Sequence, residues 1–253
     1  SNSTNYGSEK QKPASGLVAS FDGTTWALAN DPQPGVYDKS QGGSFIPAFG
    51  DALVRKYGVP VGVASTGCGA TSGRQWLMKG EKILVHPTLD KFVRTLGPGE
   101  WECTGALYDH FMQRVHALGP HGFRAVLWHQ GESDAGQARE GYPADRQLSG
   151  EQYRQLLEKI IRASRKEAGW EIPWFVAQAT YHSEKDQGDK EFRAAQKSLG
   201  DDGVALEGAD TDSLGKTYRA GVHFNAKGLK AHGELWADKV GVFLDKVLEE
   251  KKR

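Results

Sequence analysis

A cluster of polar and small residues follows one apolar segment of this sequence. Phe123 to Trp128 has the composition of a buried strand, and Gln130, Gly131, Glu132, Ser133 and Asp134 come after it. Buried amide and carboxyl groups are costly without hydrogen-bond partners, so such a cluster is typical of a site. In open α/β sheets, ligands bind just beyond the carboxyl ends of the strands. The cluster therefore predicts where the functional site lies.

Two further segments carry residue types that fit a site. Gly69, Ala70 and Thr71 follow a short β-branched run and precede Trp76, and His223 lies between the last predicted strand and the final predicted helix. A histidine in such a loop can reach a nucleophile at the end of a neighbouring strand and remove its proton. A histidine that only caps the helix or faces solvent is the alternative at this position.

The three segments resemble, in this order, the sialate O-acetylesterase-like branch of the SGNH (GDSL-type) hydrolases, which includes acetylxylan esterases. Trp128 to Asp134 matches its W-x-Q-G-E-S-D motif, the most specific of the three. Gly69-Ala70-Thr71 with Trp76 is similar to its G-G-T-x-x-x-x-W block, and Gly221 to Asn225 to the block with the catalytic histidine. The resemblance spans essentially the whole chain. It implies a serine esterase that removes O-acetyl groups from carbohydrate (an acetylated glycan, xylan or sialic acid) without metal or cofactor.

The family's nucleophilic serine stands in a G-Q-S-N motif directly after the first strand. This chain begins with Ser1-Asn2, so the resemblance implies that Ser1 is the nucleophile and that the first strand lies upstream of the sequence given. An ordinary frayed terminus or a tag remnant is the alternative. A hydrolase that uses Cys68 or Ser72 is a further alternative, although neither residue stands in a G-x-S-x-G elbow.

The resemblance also assigns roles around the reacting carbonyl. His223 would act first as base and then as acid, because a serine hydroxyl is a weak nucleophile until its proton is removed. An amide at Gly69 and the side-chain NH2 of Gln130 would donate to the oxyanion. Glu132 is expected in the pocket, where its carboxylate would hold Gln130 or nearby backbone groups in position.

The sequence departs from the family at the acid of the triad. The usual pattern is D-x-x-H, and Ala220 stands three residues before His223. Asp212 is favoured as the substitute, with Asp210, Glu132 and a backbone carbonyl as the other candidates. A Ser–His dyad is also compatible with the sequence. A non-catalytic glycan-binding module that lost the acid is the alternative from another class.

The remaining histidines fall into two groups. His129, beside Gln130, and His182, at the end of a predicted strand, are expected to line the pocket. The others fall on predicted helices or their ends and are expected to be surface or packing residues: His86, His110, His116, His121 and His232.

Length and composition favour one domain over residues 1–253, since the chain has 253 residues, 38% of them hydrophobic. Lys+Arg and Asp+Glu both total 32, so the zero net charge gives no argument for binding nucleic acid or an anionic membrane. No apolar stretch reaches the roughly 18 residues that would span a membrane.

Carbohydrate esterases are commonly exported, so we expect a secreted or periplasmic protein. For the same reason we slightly favour a Cys68–Cys103 disulfide over two buried thiols. The oligomeric state stays open.

Hydrophobic spacing predicts strands that alternate with helices. The strands are expected at 17–21, 24–29, 59–64, 123–128, 173–179 and 204–206. The helices are expected at 45–57, 83–96, 104–118, 152–168, 190–199 and 226–250. This alternation implies an α/β fold, a three-layer α/β/α sandwich with a central parallel sheet, as in the flavodoxin-like SGNH hydrolases.

Overall fold

Strands and helices alternate along most of the chain in the computed structural model, which describes residues 1–87, 89–135, 144–186 and 188–252. The strands are β1 (Val18–Phe21), β2 (Trp26–Leu28), β3 (Val61–Val63), β4 (Lys82–Ile83), β5 (Val93–Gly97), β6 (Glu100–Cys103), β7 (Val126–Trp128), β8 (Trp174–Gln178), β9 (Leu206–Asp210), β10 (Arg219–Ala220) and β11 (His223–Phe224). The helices are α1 (Ile46–Tyr57), α2 (Ala106–Leu118), α3 (Glu132–Ala135), α4 (Gly150–Ala168), α5 (Lys190–Asp201) and α6 (Ala226–Glu250). Short 3-10 turns lie at Gly73–Trp76, Ala144–Arg146, Thr211–Ser213 and Lys216–Tyr218.

Hydrogen bonds join these strands into small sheets. In the order β2-β1-β3, the first pairing is antiparallel and the second is parallel. Strands β7, β8 and β9 form a parallel sheet in that order. Strands β4, β6 and β5 form an antiparallel sheet, and β10 and β11 form an antiparallel ribbon. The α/β class is confirmed, while the parallel pairs lie in two separate three-stranded sheets within the described residues.

Strand β8 divides the core into two buried clusters. Trp174 and Val176 belong to one cluster, and Phe175 and Ala177 belong to the other, because successive side chains of a strand point to opposite faces. Helices α2, α4 and α5 contribute to the first cluster, whereas α1 and α6 contribute to the second. Helices therefore cover both faces of this strand.

Local sequence signals fix the ends of several helices. The side chain of Asn225 accepts a hydrogen bond from the Gly228 amide at 2.9 Å, which caps α6 two residues after His223. Helix α1 ends at Gly58, whose φ of 67° is the left-handed conformation that glycine adopts readily. Helix α4 begins with a capping box and starts two residues earlier than predicted.

No helix in the described ranges combines the length and apolar composition needed to cross a bilayer.

The helix predicted at 83–96 is wrong. This segment contains the end of β4 and all of β5 except Gly97, and both strands pair antiparallel with β6. Pro87 interrupts the helical pattern. The turn at Gly97-Pro98-Gly99 joins β5 to the antiparallel strand β6. Strand β9 also begins two residues later than the strand predicted from position 204.

The favoured disulfide is also wrong, because Cys68 and Cys103 are both buried free thiols. The thiol of Cys103 donates to the backbone oxygen of Gln75 at 3.5 Å. Burial raises the pKa of the Cys68 thiol to about 11, and the nearby carboxylate of Asp38 acts in the same direction. Each thiol behaves as a small core group, and Cys68 is a poor candidate for the nucleophile.

Candidate active site

The first eight residues are hydrogen-bonded to the loops around His223 and are not frayed. The buried side chain of Asn2 donates to Glu132 Oε1 at 2.9 Å and to the backbone oxygen of Val222 at 3.2 Å. The Ser8 amide donates to the Phe224 oxygen at 3.0 Å. These bonds hold Ser1 beside the segment that carries His223.

Hydrogen bonds of Asn2 bring the segments of Ser1, Glu132 and His223 together. Burial lowers the pKa of His223, Arg219 acts in the same direction, and the Glu132 carboxylate opposes them. No described residue hydrogen-bonds the His223 ring, whose centroid lies 5.2 Å from that of Tyr6. The structure thus brings together three of the predicted site residues.

Glu132 is held as a carboxylate by its neighbours. Its Oε1 accepts hydrogen bonds from Asn2 and from His129 Nε2, the latter at 3.2 Å, while no described residue bonds its Oε2. Burial raises the pKa of Glu132, but the charge and hydrogen bond of His129 outweigh it, so the pKa lies below its usual range. One oxygen is therefore fixed and the other is free to meet a partner.

His232 completes a buried chain of aromatic side chains behind Glu132, a role that the sequence did not predict. His129 Nδ1 lies 3.1 Å from His232 Nε2, and Trp236 Nε1 donates to the same nitrogen at 3.0 Å. An indole N–H can only donate, so this nitrogen of His232 is an acceptor. Burial lowers the pKa of His232 well below its usual value, with His129 and Arg219 acting in the same direction, so His232 is neutral. Its spacing from Leu229 and Trp236 places it on the apolar face of α6, the signal that could have revealed it.

The buried carboxylate of Asp134 ties the turn after β7 to the glycine-rich block after β3. It accepts hydrogen bonds from the Gly73 amide at 2.7 Å and from Gln130 Nε2 at 2.8 Å. The Ser72 hydroxyl and Arg74 Nη2 also donate to it, and Arg74 is its ion-pair partner. The Ser72 hydroxyl is thus buried and engaged, which removes it as a candidate nucleophile.

Gln130 does not present its NH2 group to an oxyanion in this structure. Both of its N–H groups are engaged, one with Asp134 and one with the backbone oxygen of Thr71 at 3.1 Å. Its Oε1 is buried without a hydrogen-bond partner. These two hydrogen bonds suit Gln130 to holding the Thr71 segment in position.

The Gly69 amide lies at the site but is already engaged. It donates to Asp38, which also accepts the Tyr6 hydroxyl at 3.0 Å. Burial raises the pKa of Asp38, but hydrogen bonds from Gly69, Ser40 and Tyr6 outweigh it and lower the pKa overall. The sequence did not single out Asp38, because its partner lies 31 residues further along the chain.

Asp212 forms no hydrogen bond with His223, the residue that it was expected to orient. Its Oδ1 accepts the amides of Thr180 and Tyr181, both at 2.8 Å. Its Oδ2 accepts the Thr180 hydroxyl at 2.7 Å and Arg193 Nη1 at 2.8 Å. The Asp212 carboxylate therefore joins the segment after β8 to helix α5.

The other positions considered for the acid differ in what they contact. Asp210 is paired with Arg193 at 2.9 Å, and Ala220 lies opposite His223 in the β10–β11 ribbon. Among the carboxylates considered, Glu132 is the one whose charge acts on His223. No group of three or more His, Cys, Asp or Glu side chains in the described ranges is arranged to hold a metal ion.

Comparisons with known proteins agree with the resemblance seen in the sequence. Residues 2–241 match the family model described as carbohydrate esterase, sialic acid-specific acetylesterase. The fold is similar to the crystal structure of a carbohydrate acetylesterase from Xanthomonas citri, with TM-score 0.56 and 18% identity over 88% of this chain and 48% of that chain. It is also similar to a protein from Arabidopsis thaliana, with TM-score 0.58 and 17% identity over 88% of this chain and 79% of that chain.

These similarities have a defined extent. The chain spans about half the length of the Xanthomonas citri protein, since it covers 48% of it. At 17% and 18% identity the two structures show a shared fold. No curated protein matches the sequence significantly.

Proposed function

The chain belongs to the carbohydrate esterase family of sialic acid-specific acetylesterases, and from this premise we propose that it is a serine esterase that removes O-acetyl groups from carbohydrate. The observation that carries the proposal is that Asn2, which follows Ser1, donates both to Glu132 Oε1 and to the oxygen of Val222, the residue before His223. Its substrate would be an acetylated glycan such as xylan, or acetylated sialic acid.

In this mechanism Ser1 Oγ attacks the acetyl carbonyl while His223 takes the hydroxyl proton. The imidazolium then gives this proton to the departing sugar oxygen, which leaves an acetyl-enzyme. A water molecule, deprotonated by His223, attacks the acetyl group and releases acetate. Burial and the nearby charge of Arg219 lower the pKa of His223, so the ring is neutral and ready to accept a proton.

Glu132 is the carboxylate that we propose as the partner of His223. Its charge favours the protonated imidazole, which is what the acid of a triad does. The two donors on Oε1 hold the side chain in place, and Oε2 has no partner among the described residues. A hydrogen bond from the His223 ring to Oε2 would complete the triad without an acid at Ala220.

The Gly69 amide is the donor that we propose for the oxyanion, once the Asp38 carboxylate has moved off it. Gln130 would contribute indirectly, since it holds the Thr71 carbonyl and the Asp134 carboxylate.

We also infer that the two sheets that contain parallel pairs belong to one three-layer α/β/α sandwich. The support is the alternation of β8 side chains between two helix-covered clusters. An experimental structure in which β3 and β7 lie on opposite sides of the molecule would overturn this assignment.

The nucleophile can be tested by labelling with an organophosphonate, followed by peptide mass spectrometry. We expect an adduct on Ser1 in the wild type and no adduct in His223→Ala, together with loss of p-nitrophenyl acetate turnover by about 10³-fold or more. An adduct on another serine would move the nucleophile. No adduct and no acetate release would favour a glycan-binding module.

The acid can be tested with a matched pair of substitutions, Glu132→Gln and Asp212→Asn. We expect Glu132→Gln to lower kcat by about 10²- to 10⁴-fold, because the imidazolium loses its carboxylate. Asp212→Asn should mainly lower stability, since its bonds join the segment after β8 to helix α5. The reverse order of kcat effects would restore Asp212 as the acid.

A further inference from the structure

Arg114, on α2, is a buried arginine without a hydrogen bond or ion pair among the described residues. It is 8% exposed, and its Nε is fully buried without a partner. The other arginines buried to this degree are bonded: Arg74 pairs with Asp134, and Arg219 donates to three backbone oxygens at 2.7 to 3.0 Å. Buried charged groups are normally paired, so the unpaired guanidinium of Arg114 needs an explanation.

The Phe21 ring and two glycines lie next to the Arg114 guanidinium. The guanidinium is 5.6 Å from the ring centroid of Phe21. A Cβ atom at Gly23 would lie 1.8 Å from Nη1, and one at Gly35 would lie 2.9 Å from Nη2. A larger residue at either glycine would therefore collide with the guanidinium, so glycine at both positions is what makes room for it.

The charged groups that face Arg114 leave it unpaired. Asp22 is the carboxylate whose charge reaches it, but the Asp22 oxygens accept four hydrogen bonds from Thr24 and Thr25 at 2.7 to 2.9 Å, which close the turn between β1 and β2. His110, one helical turn away, contacts the Gly35 oxygen at 2.8 Å. The guanidinium therefore keeps its N–H donors for another partner.

The cation lies at the edge of the sheet where the candidate active site also lies. Strands β1 and β3 are parallel, Phe21 ends β1, and the Ser65 oxygen lies 2.8 Å from the Cβ position of Gly35. Two residues after Gly35, the Tyr37 amide donates to the Gly67 oxygen at 2.9 Å, and Asp38 then bonds Gly69. The segment 35–38 therefore joins the surroundings of Arg114 to the glycine-rich block of the candidate active site.

We propose that Arg114 binds the carboxylate of an acidic sugar in the substrate. A guanidinium presents a planar fork of donors that matches a carboxylate and is always charged, so it favours a sugar acid over a neutral sugar. The identity of the ligand as substrate rests on the proposed esterase function, whereas binding of the sugar carboxylate to Arg114 does not.

The test measures binding of glucuronate by isothermal titration calorimetry, with glucose as the neutral probe. We expect the wild type to bind glucuronate more tightly than glucose, and Arg114→Gln to weaken glucuronate binding at least ten-fold. Arg114→Lys should recover only part of it, because an ammonium lacks the planar fork. Arg124→Gln, which changes an exposed arginine, should leave glucuronate binding unchanged.

Two readouts separate this inference from the proposed function and from a structural role. The calorimetry involves no turnover, so absence of p-nitrophenyl acetate hydrolysis by the wild type would contradict the esterase alone. Urea unfolding of ligand-free Arg114→Gln should show at most a small loss of stability, because the guanidinium that it removes has no hydrogen bond or ion pair among the described residues. Equal glucuronate binding by wild type and Arg114→Gln, or no preference over glucose, would overturn the inference, as would a marked loss of stability in Arg114→Gln.

Discussion

Asp134→Asn should be one of the most destabilising conservative changes in this protein. The Asp134 carboxylate accepts hydrogen bonds from Ser72, Gly73, Arg74 and Gln130. An asparagine keeps the shape but loses the charge, and its NH2 group would face groups that are themselves donors. Arg74, whose side chain is 3% exposed, would lose its ion-pair partner.

The expected loss follows from these bonds. Hydrogen bonds to charged groups contribute about 1.5–3 kcal/mol each, and removing one member of a buried ion pair costs about 3–5 kcal/mol. These terms overlap because they share one carboxylate, so we expect the free energy of unfolding to fall by about 3–5 kcal/mol. With a urea m-value of roughly 3 kcal/mol/M, the unfolding midpoint should fall by about 1 M or more.

Urea unfolding followed by far-UV circular dichroism measures this shift, with Asp201→Asn as the matched control. Asp201 forms an exposed ion pair with Lys197 at 2.6 Å, so its substitution should cost less than about 1 kcal/mol. Midpoints of Asp134→Asn and wild type that agree within experimental error would refute the reasoning that this carboxylate holds the site together.

The other predictions concern close packing, pH and the thiols. Gly131→Ala should lower the free energy of unfolding by about 1–3 kcal/mol in urea, because its Cβ would lie 2.4 Å from the Ala179 oxygen; an unchanged midpoint would contradict the packing. The pKa of His232 is well below 6.5 in the folded protein, so the unfolded chain takes up its proton first and stability falls as the pH drops below about 6.5. His232→Leu should flatten that slope by up to about 1.4 kcal/mol per pH unit in denaturation curves, and equal slopes would count against it. Cys68 and Cys103 should be unreactive to Ellman's reagent until denaturant exposes two thiols, and a reductant that lowers Tm would reveal a disulfide instead.

The elements that the sequence predicts well are those whose signals are local. Helix α1 has an apolar stripe and a glycine at its end, and α6 has Asn225 as its cap. The segment 83–96 was misassigned because its strands are stabilised by pairing with β6, a partner that hydrophobic spacing within the segment does not reveal. Short strands depend on distant partners more than long helices do.

In the candidate site, too, residues with local sequence signals are predicted and residues that depend on distant partners are not. Ser1, His223 and Glu132 are predicted from motifs, and the hydrogen bonds of Asn2 bring their segments together. His232 and Asp38 are not predicted, because their partners are remote in sequence: His129 lies 103 residues before His232. A motif points to candidate residues for the chemistry, whereas the residues that hold them in place are defined only by the folded chain.

In the proposed mechanism, the Asp38 carboxylate competes with the substrate for the Gly69 amide. An acyl oxygen that is to use this amide must displace a carboxylate that belongs to the same chain and so is never diluted away. The affinity for the acyl group would then be the intrinsic affinity multiplied by the fraction of time that the amide is free. A substrate that also gives Tyr6 or Asp38 a new partner would regain that loss, so the contacts that it makes around the acyl group would decide how well the ester is bound.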